Sequence, residues 1–140
     1  MTLLEFKEIL TQHKDSPNPI LFNLDKSLLV PPYFHITEMG LMKEEGAVAF
    51  SDDGLPVQDG SVMRRALEYG SMFNVPIINH AEDTCLREGG VMNEGTMSTR
   101  LGLVGNPSLA ESSMVHRDLE LGALTGGRVH VPHVSTARAA

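Results

Sequence analysis

Three short apolar runs in this chain each stop at a residue able to bind a cation. Residues 47–50 (AVAF) run into Ser51-Asp52-Asp53-Gly54, residues 75–78 (VPII) into Asn79-His80, and residues 128–133 (RVHVPH) close on His133 before Val134-Ser135-Thr136. A short, largely apolar run bounded by turn residues reads as a strand covered on both faces. Between these strands lie segments with helical spacing. Ser61 is placed to cap a helix reaching about Phe73, with Val62, Ala66, Tyr69 and Phe73 along one face. Asn106 followed by Pro107 marks a second helix start, running to about Leu124 and stopping at Gly126-Gly127. A polar loop running past Gly95 fills the gap between His80 and that helix. Strand then helix, repeated, predicts an α/β fold with a parallel sheet. In such folds the site is built on the rim where strands end, and Asp53, His80 and His133 all fall on that rim.

The first 35 residues read differently. Leu3, Leu4, Phe6, Ile9 and Leu10 give residues 2–13 an amphipathic helical pattern, which a breaker run, Asp15-Ser16-Pro17-Asn18-Pro19, brings to a stop. Residues 20–24 predict a short strand. Pro31-Pro32 then interrupts the chain before a helical pattern over residues 37–45, with Gly46 in the position of a C-terminal cap.

Charge and cysteine content narrow the function classes. Eleven Lys plus Arg against 18 Asp plus Glu leave a net charge of −7, so attraction to a phosphate backbone does not drive binding and nucleic acid is excluded as a partner. The longest apolar stretch, residues 28–34, is cut by Pro31 and Pro32 and falls short of the roughly 20 residues of a membrane span. The opening MTLLEFKEILTQHK lacks the basic start, apolar block and cleavage site of a secretory leader, so a cytoplasmic location is expected. Cys85 is the single cysteine, which allows neither an internal disulfide nor a thiolate zinc cluster. A metal here rests on imidazole and carboxylate.

Taken on residue chemistry alone, the three rim positions have two readings. They suit divalent-ion ligation, since neutral imidazole and carboxylate are both donors to zinc. They also suit loop caps and satisfied polar residues, and SDDG is good turn chemistry. Two adjacent carboxylates after a buried strand repel one another unless a cation lies nearby, which favours the first reading. Glu82 and Asp83 stand close enough to His80 to orient it. His130 and His133, three apart on a strand, tend to opposite faces, so His133 is the expected ligand and His130 a packing or supporting residue. His13, His35 and His116 read as surface residues, and Cys85 as a small buried or partly buried thiol.

The segments MGLMKEEGAVAFSDDG (39–54), VPIINHAED (75–83), GVMNEG (90–95) and GRVHVPHVST (127–136), in that order and with those gaps, resemble the middle of a bacterial dihydroorotase of the long-chain type. The resemblance runs from about Thr37 to Ala140. It implies the amidohydrolase superfamily and a TIM-type (β/α) barrel with one or two zinc ions at the C-terminal ends of its strands. The second aspartate of SDDG resembles the family's ligand carboxylate, which assigns Asp53 and not Asp52; the histidine closing VPIINH assigns His80, and the histidine before VST assigns His133. Asn93 takes no role beyond shaping its loop. Hydantoinases and dihydropyrimidinases usually carry a carboxylated lysine where this chain has Asp53, so the aspartate favours dihydroorotase.

The departures bear on organisation. The family's histidine pair on the first barrel strand, and the arginine after it that binds the substrate carboxylate, have no match here. The aspartate that shuttles the proton is expected on a strand beyond Ala140. A barrel takes about 250 residues, so the expected arrangement is an unmatched segment over residues 1–35 and an incomplete, central barrel portion over residues 36–140. The implied reaction is the zinc-dependent interconversion of dihydroorotate and carbamoyl aspartate in pyrimidine biosynthesis. Two alternatives stand beside it: a related cyclic amidohydrolase such as a hydantoinase, and a non-catalytic truncated relative that binds a partner. For the latter, candidate partners are aspartate transcarbamoylase, an intact barrel, or another copy of the chain.

Overall fold

The computed structural model describes residues 22–23, 39–52 and 54–140. The expected helix over residues 2–13, most of the strand over 20–24, and His13, His35 and Asp53 lie outside the described residues. The described elements are β1 (Phe22–Asn23), α1 (Met39–Glu44), β2 (Phe50–Ser51), α2 (Gly60–Met72), β3 (Pro76–Ile78), α3 (Thr84–Arg87), β4 (Met92–Asn93), α4 (Thr96–Leu101), β5 (Gly105–Asn106), α5 (Ser108–Thr125) and β6 (Arg128–His130).

Four strands form one sheet in the order β1-β2-β3-β6, and every pairing is parallel. Each strand of this sheet lies beside the next one in the chain, with helices between them, and only the β4–β5 excursion intervenes. That is the winding of a partial (β/α) barrel. The register sets Phe50 against Ile77 and Ile77 against Val129, so all three strands end on one rim.

The main core lies where α1 and α2 cover the sheet. Phe50, Ile77 and Val75 pack there with Met39, Met42, Met63 and Leu67, all buried. The expected face of α2 is present, since Ala66 is buried and Val62, Tyr69 and Phe73 pack against the core, but Met63, Leu67 and Gly70 carry its deepest contacts. A smaller cluster of Ala81, Met114 and Val115, joined by Val131, sits beneath the rim.

Helix ends depart from expectation in informative ways. Asp59, not Ser61, caps α2: its carboxylate accepts the N–H groups of Ser61 (2.6 Å) and Val62 (3.2 Å). Those hydrogen bonds, Ser61's above all, hold the Asp59 carboxyl below its ordinary range. Pro107 occupies the cap position of α5, one residue later than expected, because Asn106 is committed to β5. The polar loop after His80 is structured: α3 and α4 flank a second, parallel two-stranded sheet in which Asn93 pairs with Asn106. Cys85 is exposed rather than buried, since α3 buries none of its residues. Gly46, at φ 109°, ends α1 as expected. Among the described residues no helix is long and apolar enough to cross a membrane.

Candidate metal centre

His80 stands two residues past the last paired residue of β3, and His133 three residues past that of β6. The last strand stops at His130 rather than running to His133, because Pro132 has no N–H for the ladder. His133 then adopts φ 42°, in the left-handed region that residues with a side chain seldom enter. His130 is exposed on the strand itself, apart from the pair. His116 is exposed on α5, as expected.

The outcome is a direct meeting of two imidazoles. His80 Nδ1 and His133 Nε2 are 3.2 Å apart and the ring centroids 4.8 Å apart, 53 residues distant in sequence. Two nitrogens so placed either share one proton as donor and acceptor, or aim both lone pairs at a common cation. Nitrogens held about 2.0–2.1 Å from one tetrahedral ion stand roughly 3.3 Å apart. The observed 3.2 Å fits either use, and for the second the donor type suits zinc. Among the described residues no group of three His, Cys, Asp or Glu gathers to hold a metal.

Two carboxylates tie down the structure around the histidines, Glu82 beside His80 and Glu111 at the turn after His133. The Glu82 Oε2 atom lies 3.9 Å from His80 Nε2 and 3.4 Å from Arg87, while its Oε1 accepts the Asn106 amide N–H at 2.8 Å. The Gln58 amide donates to the Glu82 carbonyl at 2.7 Å. On the other side Glu111 collects the backbone N–H of Ser135 (2.8 Å), its hydroxyl (3.0 Å) and the backbone N–H of Thr136 (2.7 Å). Burial raises the Glu111 pKa, but the hydrogen bonds from Thr136 and Ser135 outweigh it and leave the carboxyl below its ordinary value. Thus the turn after His133 is fastened to α5.

Behind the rim lies a polar network with no counterpart among the sequence expectations. Asn79 and Asp118 are fully buried. Asn79 accepts the Val57 N–H (2.9 Å) and donates to Asp118 (2.6 Å), and Arg117 donates twice to the other Asp118 oxygen (2.8 and 2.6 Å). Burial pushes the Asp118 pKa up, against the opposing pull of Asn79 and Arg117. A signal for Asp118 was present: it falls on the same helical stripe as Ala110, Met114, Val115 and Gly122, where a carboxylate has no reason to be unless it is bonded.

Between the two histidines and α5 opens a cleft of about 100 Å³, lined by polar groups including Asn93, Asn106, Ser108 and Ser135. Asn93 therefore borders the cleft from β4, which gives it a place that its loop position alone did not suggest.

Known proteins resemble this chain over the same region. The family model described as dihydro-orotase-like matches residues 32–139. A dihydroorotase of Syntrophobacter fumaroxidans is 58% identical over 104 residues, 74% of this chain and 24% of that protein. Another, from Pelotomaculum thermopropionicum, is 58% identical over 102 residues, 73% of this chain and 24% of its own length. A third, from Deinococcus radiodurans, is 53% identical over 103 residues, 74% of this chain and 25% of its own. The chain thus spans about a quarter of the length of the relatives it matches.

Proposed function

The chain belongs to the dihydro-orotase-like family, and from that premise we propose that residues 36–140 are the central barrel portion of a dihydroorotase. In this reading residues 1–35 form a separate segment. The reaction is the reversible opening of the cyclic amide of dihydroorotate to carbamoyl aspartate, in the cytoplasm, as a step of pyrimidine biosynthesis. The observation that carries the proposal is the 3.2 Å approach of His80 and His133 at the strand-end rim.

His80 and His133, with Asp53, are assigned as ligands of a divalent ion, zinc by donor type. When bound, such an ion lowers the pKa of water and polarises a carbonyl oxygen. The residues present do the rest of the preparation. His80 offers Nδ1, which places its proton on Nε2 toward the Glu82 carboxylate. His133 offers Nε2, its backbone held by the Glu111 hydrogen bonds two and three residues on. Substrate-carboxylate binding and proton shuttling are assigned to other strands of the whole enzyme. Accordingly the 140-residue chain alone is expected to turn over little or no dihydroorotate, because the reacting groups must share one geometry. Aspartate transcarbamoylase or a further copy of the chain is a candidate partner of the assembled protein.

Zinc titration followed through the imidazole resonances tests the assignment. Zinc should shift His80 and His133 together, and His80→Ala or His133→Ala should weaken binding by more than the roughly 10–100-fold that loss of an orienting partner costs. Zinc affinity unchanged in the double variant would overturn the ligand assignment.

A further inference from the structure

We propose that Asn79, Arg117 and Asp118 are positioning residues, forming a buried clamp that sets where His80 stands relative to His133. The inference rests on the reading above for what His80 does, but the clamp itself is a matter of geometry. Asn79 is the residue immediately before His80, and each of its three hydrogen bonds runs to a different element. Its backbone N–H donates to the His130 carbonyl on β6 at 3.2 Å, its Oδ1 accepts the Val57 N–H, and its Nδ2 donates to Asp118 on α5. Arg117 closes the circle. Besides holding Asp118, it donates to the carbonyls of Gln58 at 2.8 Å and Val57 at 2.7 Å. Val57 is therefore gripped at both its N–H and its C=O, and the segment following the SDDG turn is fixed to the strand end that carries His80.

The choice of residue types argues for direction rather than bulk. A fully apolar set at positions 79, 117 and 118 would fill this space without removing a charge from water, and replacement of a complete buried ion pair by apolar side chains is often neutral or stabilising. Apolar contact is non-directional, whereas hydrogen bonds fix both distance and angle. Successive side chains at a strand end alternate in direction, so locking Asn79 on the helix side locks His80 on the other. The clamp also spans the strands of both histidines, since Asn79 bonds to β6 itself. None of these hydrogen bonds goes to either ring, so the clamp acts through placement.

Imidazole nitrogen spectra of the full chain, without and with zinc, separate the possibilities. The variants are Asp118→Leu, which puts an apolar side chain in place of the carboxylate and removes direction, and Asp118→Asn, which keeps shape and carries the test should the first fail to fold. Arg64→Ala serves as control, removing only the exposed Arg64–Glu68 pair. In zinc-free Asp118→Asn or Asp118→Leu, with core methyl signals retained, the His80 and His133 nitrogens should move toward the values of isolated imidazoles, and zinc affinity should fall about 10-fold or more. Zinc-free His80 and His133 signals that superimpose on those of the parent chain in a folded variant would overturn the clamp, whatever zinc does. Zinc that leaves the parent chain's histidines unmoved would sink the metal reading instead, while the clamp would still be decided by the zinc-free spectra.

Discussion

Asn79 and Asp118 meet through a 2.6 Å hydrogen bond in a place where neither residue reaches solvent, 39 positions apart in the chain. Removing the Asn79 amide strands two partners at once. In Asn79→Ala the Val57 N–H and one Asp118 oxygen lose their bonds inside the protein, at about 1–3 kcal/mol for each stranded group and more for a charged one. The expected outcome is a loss of about 2–5 kcal/mol in urea unfolding, with the midpoint falling and the slope unchanged. A loss below about 1 kcal/mol would mean that water takes over the bonds.

That contact also marks the limit of what sequence reading reaches. His80 and His133 were legible because a short apolar run that stops at a polar residue identifies a strand end, and strand ends of a parallel sheet share a rim. Their meeting at 3.2 Å was not, since it depends on where β6 stops and on the turn at Pro132. Asp59 and Ser61 are both good cap residues two positions apart, and only the path of the preceding loop decides between them. Strands β4 and β5 have two residues each, too few for any periodicity to register. Asn79 offered no local sign at all, because its partners lie 22 and 39 residues away.

Acid should loosen the turn that follows His133. Glu111 has a folded-state pKa below its ordinary 4.5, so it contributes stability that is complete above that value and disappears as pH falls through the folded-state pKa. Asp118 has the opposite sign. Its pKa lies above the ordinary 3.8, so its contribution is complete at low pH and declines as pH rises through the folded-state value. Glu111→Gln therefore should be less stable than the parent chain near neutrality, with the gap closing below about pH 4.5. Unfolding measured across pH 3–7 checks this, with the Ser135 and Thr136 amide signals as local reporters. A gap that stays constant with pH would show that Glu111 contributes no charge-dependent hold.

The junction between α5 and β6 should tolerate no side chain at position 127. A Cβ on Gly127 would stand 2.8 Å from both the Cβ and the carbonyl oxygen of Leu67 in α2. The crowding atoms belong to or adjoin helix backbone, so no rotamer change relieves them, and such overpacking costs about 1–3 kcal/mol. Gly127→Ala is expected to lose that much stability and, by moving the start of β6, to reduce zinc affinity as well. Calorimetry with a zinc competition titration reads both, and an unchanged unfolding temperature would mean that the junction beside Leu67 takes up a methyl group without strain.

Association is expected to follow from the edge of the sheet. In the order β1-β2-β3-β6 the last strand is terminal, and among the described residues nothing pairs with its outer side. A parallel strand normally covered on both edges and both faces then offers unpaired N–H and C=O groups to any similar strand. Apolar surface adds to this: Met72, Val91 and Leu124 are 74%, 68% and 67% exposed. The net charge of −7 works against contact between copies, but exposed charges are screened beyond a Debye length of about 8–10 Å at ordinary salt. Two dependences should therefore appear together in sedimentation of the isolated chain. The mean sedimentation coefficient should rise with protein concentration, and rise further when salt is increased from about 0.01 to 0.15 M. If attraction came from opposite charges on two copies, salt would disperse the complexes instead. A coefficient indifferent to both variables would mean that the β6 edge is already covered within the chain.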